Sequence, residues 1–129
     1  MMNRQNISSG AVWEEVIGYS RAVRIGNVIE VAGTTAVDGD TVIGLGDAFE
    51  QTKFILSKIE KALQEAGANM ADVVRTRMFV TDISNWEEIG RAHGEYFSTI
   101  KPVTSMLEVK ALIQPELLIE IEVTAILST

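Results

Sequence analysis

Cysteine is absent from the 129-residue sequence, which excludes disulfide bonds, thiolate metal sites and cysteine nucleophiles together. Positive charge is scarce, since 18 acidic side chains stand against 11 basic ones and the net charge is −7. Such a chain repels phosphate backbones and contains no basic run, so we expect no nucleic-acid partner. Apolar segments long enough for a membrane span or a signal peptide are also missing. We therefore expect a cytoplasmic protein with no membrane partner.

The composition that remains is that of one ordinary globular domain. Hydrophobic residues make up 47% and charged residues 22% of the sequence. A chain of this length is too short for two well-formed cores, so residues 1–129 are predicted to form a single domain. Such a domain buries roughly two-thirds of its extended-chain surface, which is enough for a stable core without disulfides or metals.

Runs of β-branched and alternating residues predict the strands. Arg21–Ile25 and Val28–Thr35 flank Gly26-Asn27, a two-residue hairpin signal in which glycine supplies the positive φ of a type II′ turn. Three further strands are predicted at Val73–Val80, Val103–Val109 and Ile119–Leu127. The residues before Gly18 show no such pattern and are predicted to be loose.

Two helices are predicted from capping residues that are followed by apolar residues at helical spacing. Asp47 begins the first helix with Glu50 as its capping-box partner, and Gly67 ends it. Ser84 begins the second helix, with Glu87 as its partner. The predicted buried stripes are Phe49, Thr52, Ile55, Leu56, Ile59, Ala62, Leu63 and Ala66 in the first helix and Trp86, Ile89, His93, Phe97 and Ile100 in the second.

The resulting order, β-β-α-β-α-β-β, predicts an α+β layer sandwich in which two helices cover one face of a mixed sheet of about five or six strands. The apolar set of alternate strand positions is Ile29, Val31, Val74, Met78, Val80, Val103, Leu107, Val109, Ile119, Ile121, Val123 and Ala125. The other set is Glu30, Arg75, Arg77, Phe79, Met106, Glu108, Glu120, Glu122 and Ile126. A face of this mixed character is either solvent-exposed sheet or an oligomer interface with polar clefts.

Segments between about Gly18 and Ile126 resemble, in order and spacing, the reactive-intermediate deaminase (Rid/YjgF) family, formerly labelled endoribonuclease L-PSP. The run G-Y-S-R-A-V-R-I-G-N at 18–27 resembles the family's first element, and V-A-G-T-T at 31–35 resembles a later strand end. The run D-V-V-R-T-R-M-F-V-T-D at 72–82 matches the strand after the first helix. Shorter matches occur at Glu95-Tyr96-Phe97, Lys101-Pro102, Glu108-Val109 and Ile119–Val123. Single pieces are weak signals, but together they make the chain similar to the family over about 110 residues.

The resemblance implies a chorismate-mutase-like fold that forms a homotrimer, with clefts between subunits for a small-molecule metabolite. The best-known members hydrolyse 2-imino acids, formed by pyridoxal-phosphate enzymes, to 2-keto acids and ammonia. Neither a cofactor nor a metal is expected. His93 is the only histidine, and Phe97 stands one turn later where a second ligand would be needed, so His93 is predicted to be a core or interface residue with one hydrogen bond.

Part of the family's pocket matches this chain residue by residue. The pocket tyrosine of the family falls on Tyr19, and its glutamate, which positions a water or relays protons, falls on Glu120. Backbone groups of the family's pocket fall on Gly33 and Met106. The resemblance therefore implies that these residues line a cleft.

Three polar side chains of that pocket are missing from this chain. The family's serine, asparagine and carboxylate-binding arginine fall on Ala32, Gly90 and Thr104. A hydroxyl cannot reproduce the two parallel charge-assisted hydrogen bonds of an arginine to a carboxylate. The loss is on the order of 2–4 kcal/mol, or roughly 30- to 1000-fold in binding. The chain thus resembles an arginine-lacking branch, for which the standard deaminase activity is not expected.

Arg77 is the candidate for a substitute cation in this pocket, with Arg75 beside it on the same strand face. The simpler alternative is that these arginines form cross-strand salt bridges with Glu30, Glu108 or Glu122.

Three functional hypotheses follow. The first is a homotrimer that binds a carbonyl- or carboxylate-bearing metabolite, with chemistry absent or different from imine hydrolysis. The second is a divergent imine or enamine deaminase, a hydrolase of C–N bonds, in which Glu120 positions water and Arg77 or backbone amides anchor the substrate. The third is RNA cleavage, which the charge of −7 and the single histidine disfavour.

Overall fold

The computed structural model describes residues 3–128. The strands are β1 (Arg4–Ile7), β2 (Ala22–Ile25), β3 (Val28–Thr34), β4 (Val37–Asp38), β5 (Thr41–Val42), β6 (Val73–Val80), β7 (Val103–Glu108) and β8 (Ile119–Ile126). The helices are α1 (Ala48–Glu65) and α2 (Trp86–Phe97), and short helical turns lie at Glu14–Gly18, Met70–Asp72 and Ile83–Asn85. No helix in this described part of the chain is long and apolar enough to cross a membrane.

The main sheet has six strands in the order β1-β2-β3-β8-β6-β7, and β4 and β5 form a separate hairpin. Neighbouring strands are antiparallel except for β6 and β7, which α2 connects in parallel. Both helices pack on the same face of the sheet, so the predicted α+β sandwich with two helices on one face is confirmed. The prediction of a loose N-terminus was wrong for β1, because only Ile7 of that edge strand is buried and the sequence lacks an alternating pattern.

Local turn and cap signals explain where most elements begin and end. Gly26 has φ 59° in the β2–β3 turn, as the hairpin signal predicted. Asp47 accepts a hydrogen bond from Glu50 N at 3.0 Å and caps α1, and Gly67 ends that helix with φ 89°. The capping box does not close through the Glu50 side chain, since Asp47 N donates to Gly44 O.

The start of α2 differs from the prediction. Ser84 does not cap the helix, because its backbone N and its Oγ both donate to Asp82 Oδ1, at 2.9 and 2.6 Å. This interaction forms a 3₁₀ turn, and α2 begins only at Trp86. Trp86 is 56% exposed, so its assignment to the buried stripe was wrong; the stripe begins at Ile89.

Burial defines two sides of the sheet, which we call the helix face and the open face. The helix face is formed by Ile29, Val31, Val73, Thr76, Met78, Val80, Ile119, Ile121, Val123 and Ala125, all of which are buried. The open face is formed by the residues between them, including Glu30, Arg75, Arg77, Phe79, Glu120 and Glu122. The predicted faces are therefore confirmed for β3 and β8.

The predicted faces of β6 and β7 need correction. A bulge between Val73 and Arg75 shifts the alternation of β6, so that Val73 is buried and Val74 is 40% exposed. Because β7 runs parallel to β6 with Thr76 opposite Thr104, the positions Thr104 and Met106 take the helix face. Val103 and Leu107, which were predicted to be buried, are consequently exposed.

Candidate functional site

Four residues converge where β2, β3 and β8 meet, and we call them the tyrosine half-site: Tyr19, Arg21, Gly33 and Glu120. The Arg21 guanidinium lies 5.6 Å from the centre of the Tyr19 ring. Its Nη1 donates to Gly33 O at 2.8 Å and to Thr34 Oγ1 at 3.1 Å, and its Nη2 is 3.5 Å from the Tyr19 hydroxyl. These bonds fix the guanidinium and leave most of the donor capacity of Nη2 unused.

Gly33 has no side chain because Glu120 occupies the space. A Cβ atom at position 33 would lie 2.6 Å from Glu120 Oε2 and 3.2 Å from Glu120 Cγ, closer than real Cβ contacts. The β3–β8 register shifts between Val31 and Thr34, so Gly33 lies within an irregular stretch of β3. The irregularity and the missing side chain together let the Glu120 carboxyl lie against the β3 backbone.

A short π-helical turn, Glu14–Gly18, delivers Tyr19 to this half-site. Tyr19 N donates to Glu14 O at 3.0 Å, which is the wide hydrogen bond of such a turn. The buried Glu14 side chain accepts a hydrogen bond from Ser9 N at 3.1 Å and also bonds the Ser9 hydroxyl. The position of Tyr19 is therefore set by a buried carboxylate on the preceding turn, and π-turns of this kind occur frequently at functional sites.

Burial raises the pKa of Glu120, the nearby Glu122 raises it further, and Arg21 opposes both effects. A carboxyl with a raised pKa holds its proton more readily than one in water, which suits a group that relays protons or positions a water.

We expect Glu120→Gln to stabilise the fold at pH 7. Because the folded state holds the Glu120 proton to higher pH than the unfolded chain does, wild-type stability falls as pH rises above the ordinary carboxyl value of 4.5. Glutamine does not titrate, so the variant does not lose stability in this way. Calorimetry should give the variant a higher melting temperature than the wild type at pH 7 and equal melting temperatures at pH values below 4.5. Glu116→Gln, at an exposed position between β7 and β8, is the control and should change neither value. A variant less stable than wild type at pH 7 contradicts the prediction.

A groove of about 830 Å³ runs along the open face beside the tyrosine half-site. Ala32 and Arg77 line it, together with Tyr19, Arg75 and Glu122. Arg77 Nη2 lies 2.7 Å from Glu122 Oε1, so the cross-strand salt bridge that the sequence predicted as the simpler alternative is confirmed. Arg77 thus has a partner within its own sheet.

The remaining predicted residues lie on α2 and on the edge strand β7, and together with Thr76 of β6 they form what we call the threonine half-site: Thr76, Gly90, His93, Thr104 and Met106. Thr76 Oγ1 lies 2.9 Å from both His93 Nε2 and Thr104 Oγ1. His93 is half-buried and packs on Phe97, with ring centroids 4.6 Å apart, and burial lowers its pKa. Its single hydrogen bond, to Thr76, agrees with the prediction. Gly90 lies one turn before His93 on α2, and Met106 follows Thr104 on the edge strand β7.

The two half-sites do not meet within one chain. Glu120 is on the open face and pairs with Phe79, whereas Thr104 is on the helix face and pairs with Thr76 across a different strand boundary. The sheet itself therefore separates the glutamate from the threonine. Among residues 3–128, no group of three or more histidine, aspartate and glutamate side chains is arranged to hold a metal ion.

Two features of these half-sites were not predicted from the sequence. Arg21 belongs to the same Tyr-Ser-Arg run as Tyr19, and the period of two places both side chains on one side, so this signal was present in the sequence. Thr76 bonds to His93 and Thr104, which lie 17 and 28 positions further along the chain. No local sequence pattern predicts these bonds.

The chain was matched to known proteins at three levels. A family model described as Endoribonuclease L-PSP matches residues 12–127. The uncharacterised protein SCO2049 of Streptomyces coelicolor is 40% identical over 94% of this chain and 90% of that protein. The 3-aminoacrylate deaminase RutC of Acinetobacter baylyi is 32% identical over 80% of this chain and 82% of that protein.

Solved structures give the same result. Rv2704 of Mycobacterium tuberculosis, a member of the YjgF/YER057c/UK114 family, is 52% identical with a TM-score of 0.89, over 97% of this chain and 100% of that one. The YjgF gene product of E. coli is 25% identical with a TM-score of 0.82, over 95% of this chain and 98% of that one. The fold expected from the sequence motifs is therefore confirmed.

Proposed function

Because the chain belongs to the Rid/YjgF family, whose model is described as Endoribonuclease L-PSP, we propose that it binds a small carbonyl- or carboxylate-bearing metabolite in clefts between the subunits of a homotrimer. We further propose that it lacks the 2-imino acid deaminase activity implied by the family resemblance. The net charge of −7 disfavours the RNA cleavage that the family description names.

The separation of the half-sites supports an intersubunit cleft. Neither half-site alone surrounds a ligand, and both lie at places where a second subunit can pack: the open face and the edge strand β7. Apolar side chains are also exposed in these regions. They are Val12, Trp13, Val16, Ile17, Val74, Val103, Leu107 and Ile126, each at least 40% exposed. Exposed apolar clusters of this kind are typical of interfaces.

Multi-angle light scattering is expected to give a mass three times the 14.1 kDa of the chain. The exposed apolar side chains and the open sheet face become buried only if subunits pack on them. A stable dimer in this measurement contradicts the homotrimer, and a monomer contradicts the intersubunit cleft as well.

The observation that carries the proposed loss of deaminase activity is the environment of Thr104. Its hydroxyl bonds only to Thr76 and to Pro102 O, which are both uncharged. A carboxylate placed there would lose the charge-assisted pair that an arginine provides.

The cation of the proposed cleft is instead Arg21, in the tyrosine half-site. Its Nη2 lies 3.5 Å from the Tyr19 hydroxyl, and its charge acts on the Glu120 carboxyl by lowering the pKa of that group. Arg77 fits this role less well because Glu122 already engages it. A carboxylate at Arg21 would be held by a guanidinium that its bonds to Gly33 and Thr34 have already oriented.

A divergent deaminase is the second candidate function, and the raised pKa of Glu120 favours it. In that case Arg21 holds the substrate carboxylate while Glu120 positions a water for attack on the imine carbon. Similarity to a 3-aminoacrylate deaminase is consistent with chemistry of this kind.

One assay tests the two candidates. 2-Imino acids are generated in situ with an amino-acid oxidase, and their loss is followed with and without the protein. We expect no acceleration, while pyruvate still shifts the NMR signals of Tyr19 and Gly33. Gly33→Ala is the site variant, because its Cβ would displace the Glu120 side chain from β3, and its melting temperature confirms that it is folded. Acceleration that Gly33→Ala abolishes overturns the first candidate and establishes the second.

A further inference from the structure

A chain of hydrogen-bonded side chains links α2 to the exposed edge of the sheet. His93 Nε2 lies 2.9 Å from Thr76 Oγ1, which in turn lies 2.9 Å from Thr104 Oγ1. Thr104 Oγ1 also donates to Pro102 O at a longer 3.2 Å. Thr76 is fully buried and Thr104 is exposed. The chain therefore carries the hydrogen-bonding state of a half-buried imidazole to the surface.

The protons of this chain have two self-consistent arrangements, because each hydroxyl has one proton and two lone pairs. When His93 Nε2 carries a proton, it donates to Thr76 and Thr76 donates to Thr104, whose own proton can move from Pro102 O to a ligand. When Nε2 is bare, Thr76 donates to it and Thr104 donates to Thr76, which leaves a Thr104 lone pair outward. Thr104 can thus offer a ligand a donor or an acceptor, and it carries no charge in either case.

A purely structural role would not require all three residues. When Nε2 is bare, His93 alone gives the Thr76 proton a partner, so the burial of Thr76 does not then require Thr104 in the chain. The helix side of this half-site is also open, since a Cβ at Gly90 would meet nothing within 4 Å. Burial lowers the pKa of His93, so the imidazole is neutral at pH 7 and the whole chain is uncharged.

We propose that Thr104 is the subsite for a neutral carbonyl, amide or hydroxyl group of the ligand, and that Thr76 and His93 are positioning residues that orient its hydroxyl. The inference rests on the proposed intersubunit cleft, in which Arg21 binds the anionic end. The ligand class is then a monoanion: a carboxylate at one end and an uncharged polar group at the other. A compound with a second carboxylate would place an unpaired charge against Thr104.

A matched pair of compounds tests the subsite. Succinamate has one carboxylate and one amide, and succinate has a carboxylate at each end of the same carbon skeleton. We expect succinamate to bind roughly 5- to 30-fold more tightly, the worth of one or two hydrogen bonds plus the avoided desolvation of a charge. Calorimetry gives the affinities, and NMR signals of Gly33 and of the Thr104 methyl group report the two half-sites separately.

Variants assign the preference to the proposed residues. Thr104→Val should abolish the preference for succinamate, since the removed hydroxyl is the group that faces the amide. Thr76→Val should reduce it, and Thr76→Ser, which keeps the hydroxyl, should restore it and so separate positioning from stability. Thr41→Val, at an exposed position of β5, is the matched control and should leave the preference intact.

The possible failures are distinguishable. Equal affinity for the two compounds, with Gly33 signals shifted, overturns the neutral subsite and leaves the proposed function standing. A preference that survives Thr104→Val also overturns it, because another group must then recognise the amide. If neither compound shifts any signal of either half-site, the proposed function fails and this inference fails with it.

Discussion

The Thr104→Arg variant is expected to bind succinate, whose second carboxylate lies against position 104, roughly 30- to 1000-fold more tightly than the wild-type protein does. The new guanidinium can hold a carboxylate through two parallel hydrogen bonds, which the threonine hydroxyl cannot do. Thr104 is exposed on an edge strand, so the longer side chain extends into open space and the core need not repack. Thr76 keeps its bond to His93 after the change, so no buried hydroxyl is left without a partner.

Two controls at the same position separate charge from geometry. Thr104→Lys introduces a cation without the planar fork and should give a smaller gain, and Thr104→Val should give none. Affinity is measured by calorimetry, and melting temperatures confirm that each variant is folded. A folded Thr104→Arg variant that binds succinate no more tightly than Thr104→Val would show that position 104 does not face the ligand.

Tighter binding need not bring catalysis, and the same variant separates the two in the 2-imino acid assay. If Thr104→Arg hydrolyses imines, then Tyr19 and Glu120 already form a working half-site and only the anchor was missing. If it binds succinate tightly but hydrolyses nothing, the polar groups missing at Ala32 and Gly90 also matter. Thr104→Arg combined with Gly90→Asn then tests this directly, since space for a side chain is present at position 90.

Sequence patterns predicted the parts of the fold that depend on local physics. The capping of α1 by Asp47, the left-handed Gly67 and the β2–β3 turn at Gly26 each follow from neighbouring residues alone. The same holds for β8, because strict alternation over eight residues leaves one choice of faces. These signals were sufficient to give the order of the main elements and the fold class.

The errors arose where distant contacts override local patterns. The bulge after Val73 adds one residue to β6, so the side chains before the bulge lie on the opposite face from the one that strict alternation predicts. No residue of the sequence marks the position of this bulge. The predicted faces of β7 were also wrong, because tertiary contacts such as that of Thr76 with Thr104 set the parallel register of β7 with β6. Before α2, Asp82 and Ser84 are both suited to capping a helix. The Ser84 hydroxyl donates to Asp82 Oδ1, so it does not cap α2.

The candidate site was predictable as a set of residues but not as an arrangement. Tyr19, Gly33 and Glu120 do lie together, whereas Thr104 lies on the opposite face of the sheet. A motif gives the order of residues along the chain, and the face of each residue depends on bulges and registers. The separation of the two half-sites therefore became visible only in three dimensions.

The second large effect is expected for stability: Gln51→Leu should lower the free energy of unfolding by about 3–5 kcal/mol. Gln51 is fully buried in α1, and its Nε2 donates to Gly44 O at 3.1 Å and to Glu116 O at 3.0 Å. Its Oε1 accepts from Leu118 N at 2.9 Å. Leucine fills a similar volume but leaves Glu116 O and Leu118 N without partners, while Gly44 O keeps its bond from Asp47 N. Urea denaturation at fixed protein concentration measures the loss.

The control is Gln64→Leu, which makes the same chemical change on the exposed side of the same helix. Surface substitutions of this kind change stability by about 0.5 kcal/mol or less. A Gln51→Leu loss within about 1 kcal/mol of this control would mean that water replaces the three hydrogen bonds, and the assigned role of Gln51 would be wrong.

Gln51 also connects the stability of the fold to the tyrosine half-site. Gln51 Oε1 accepts a hydrogen bond from Leu118 N, and Leu118 lies two residues before Glu120. The Gln51 side chain therefore fixes the start of β8 and, with it, the position of the Glu120 side chain against Gly33. Gln51→Leu should therefore shift the NMR signals of Gly33 and weaken pyruvate binding at temperatures at which the protein is still folded. Leu56→Ala removes a comparable 2–5 kcal/mol from the same helix without removing the hydrogen bond to Leu118 N and should leave both unchanged. Because the two variants are matched in stability, a difference between them in ligand binding arises from the position of Glu120 and not from partial unfolding.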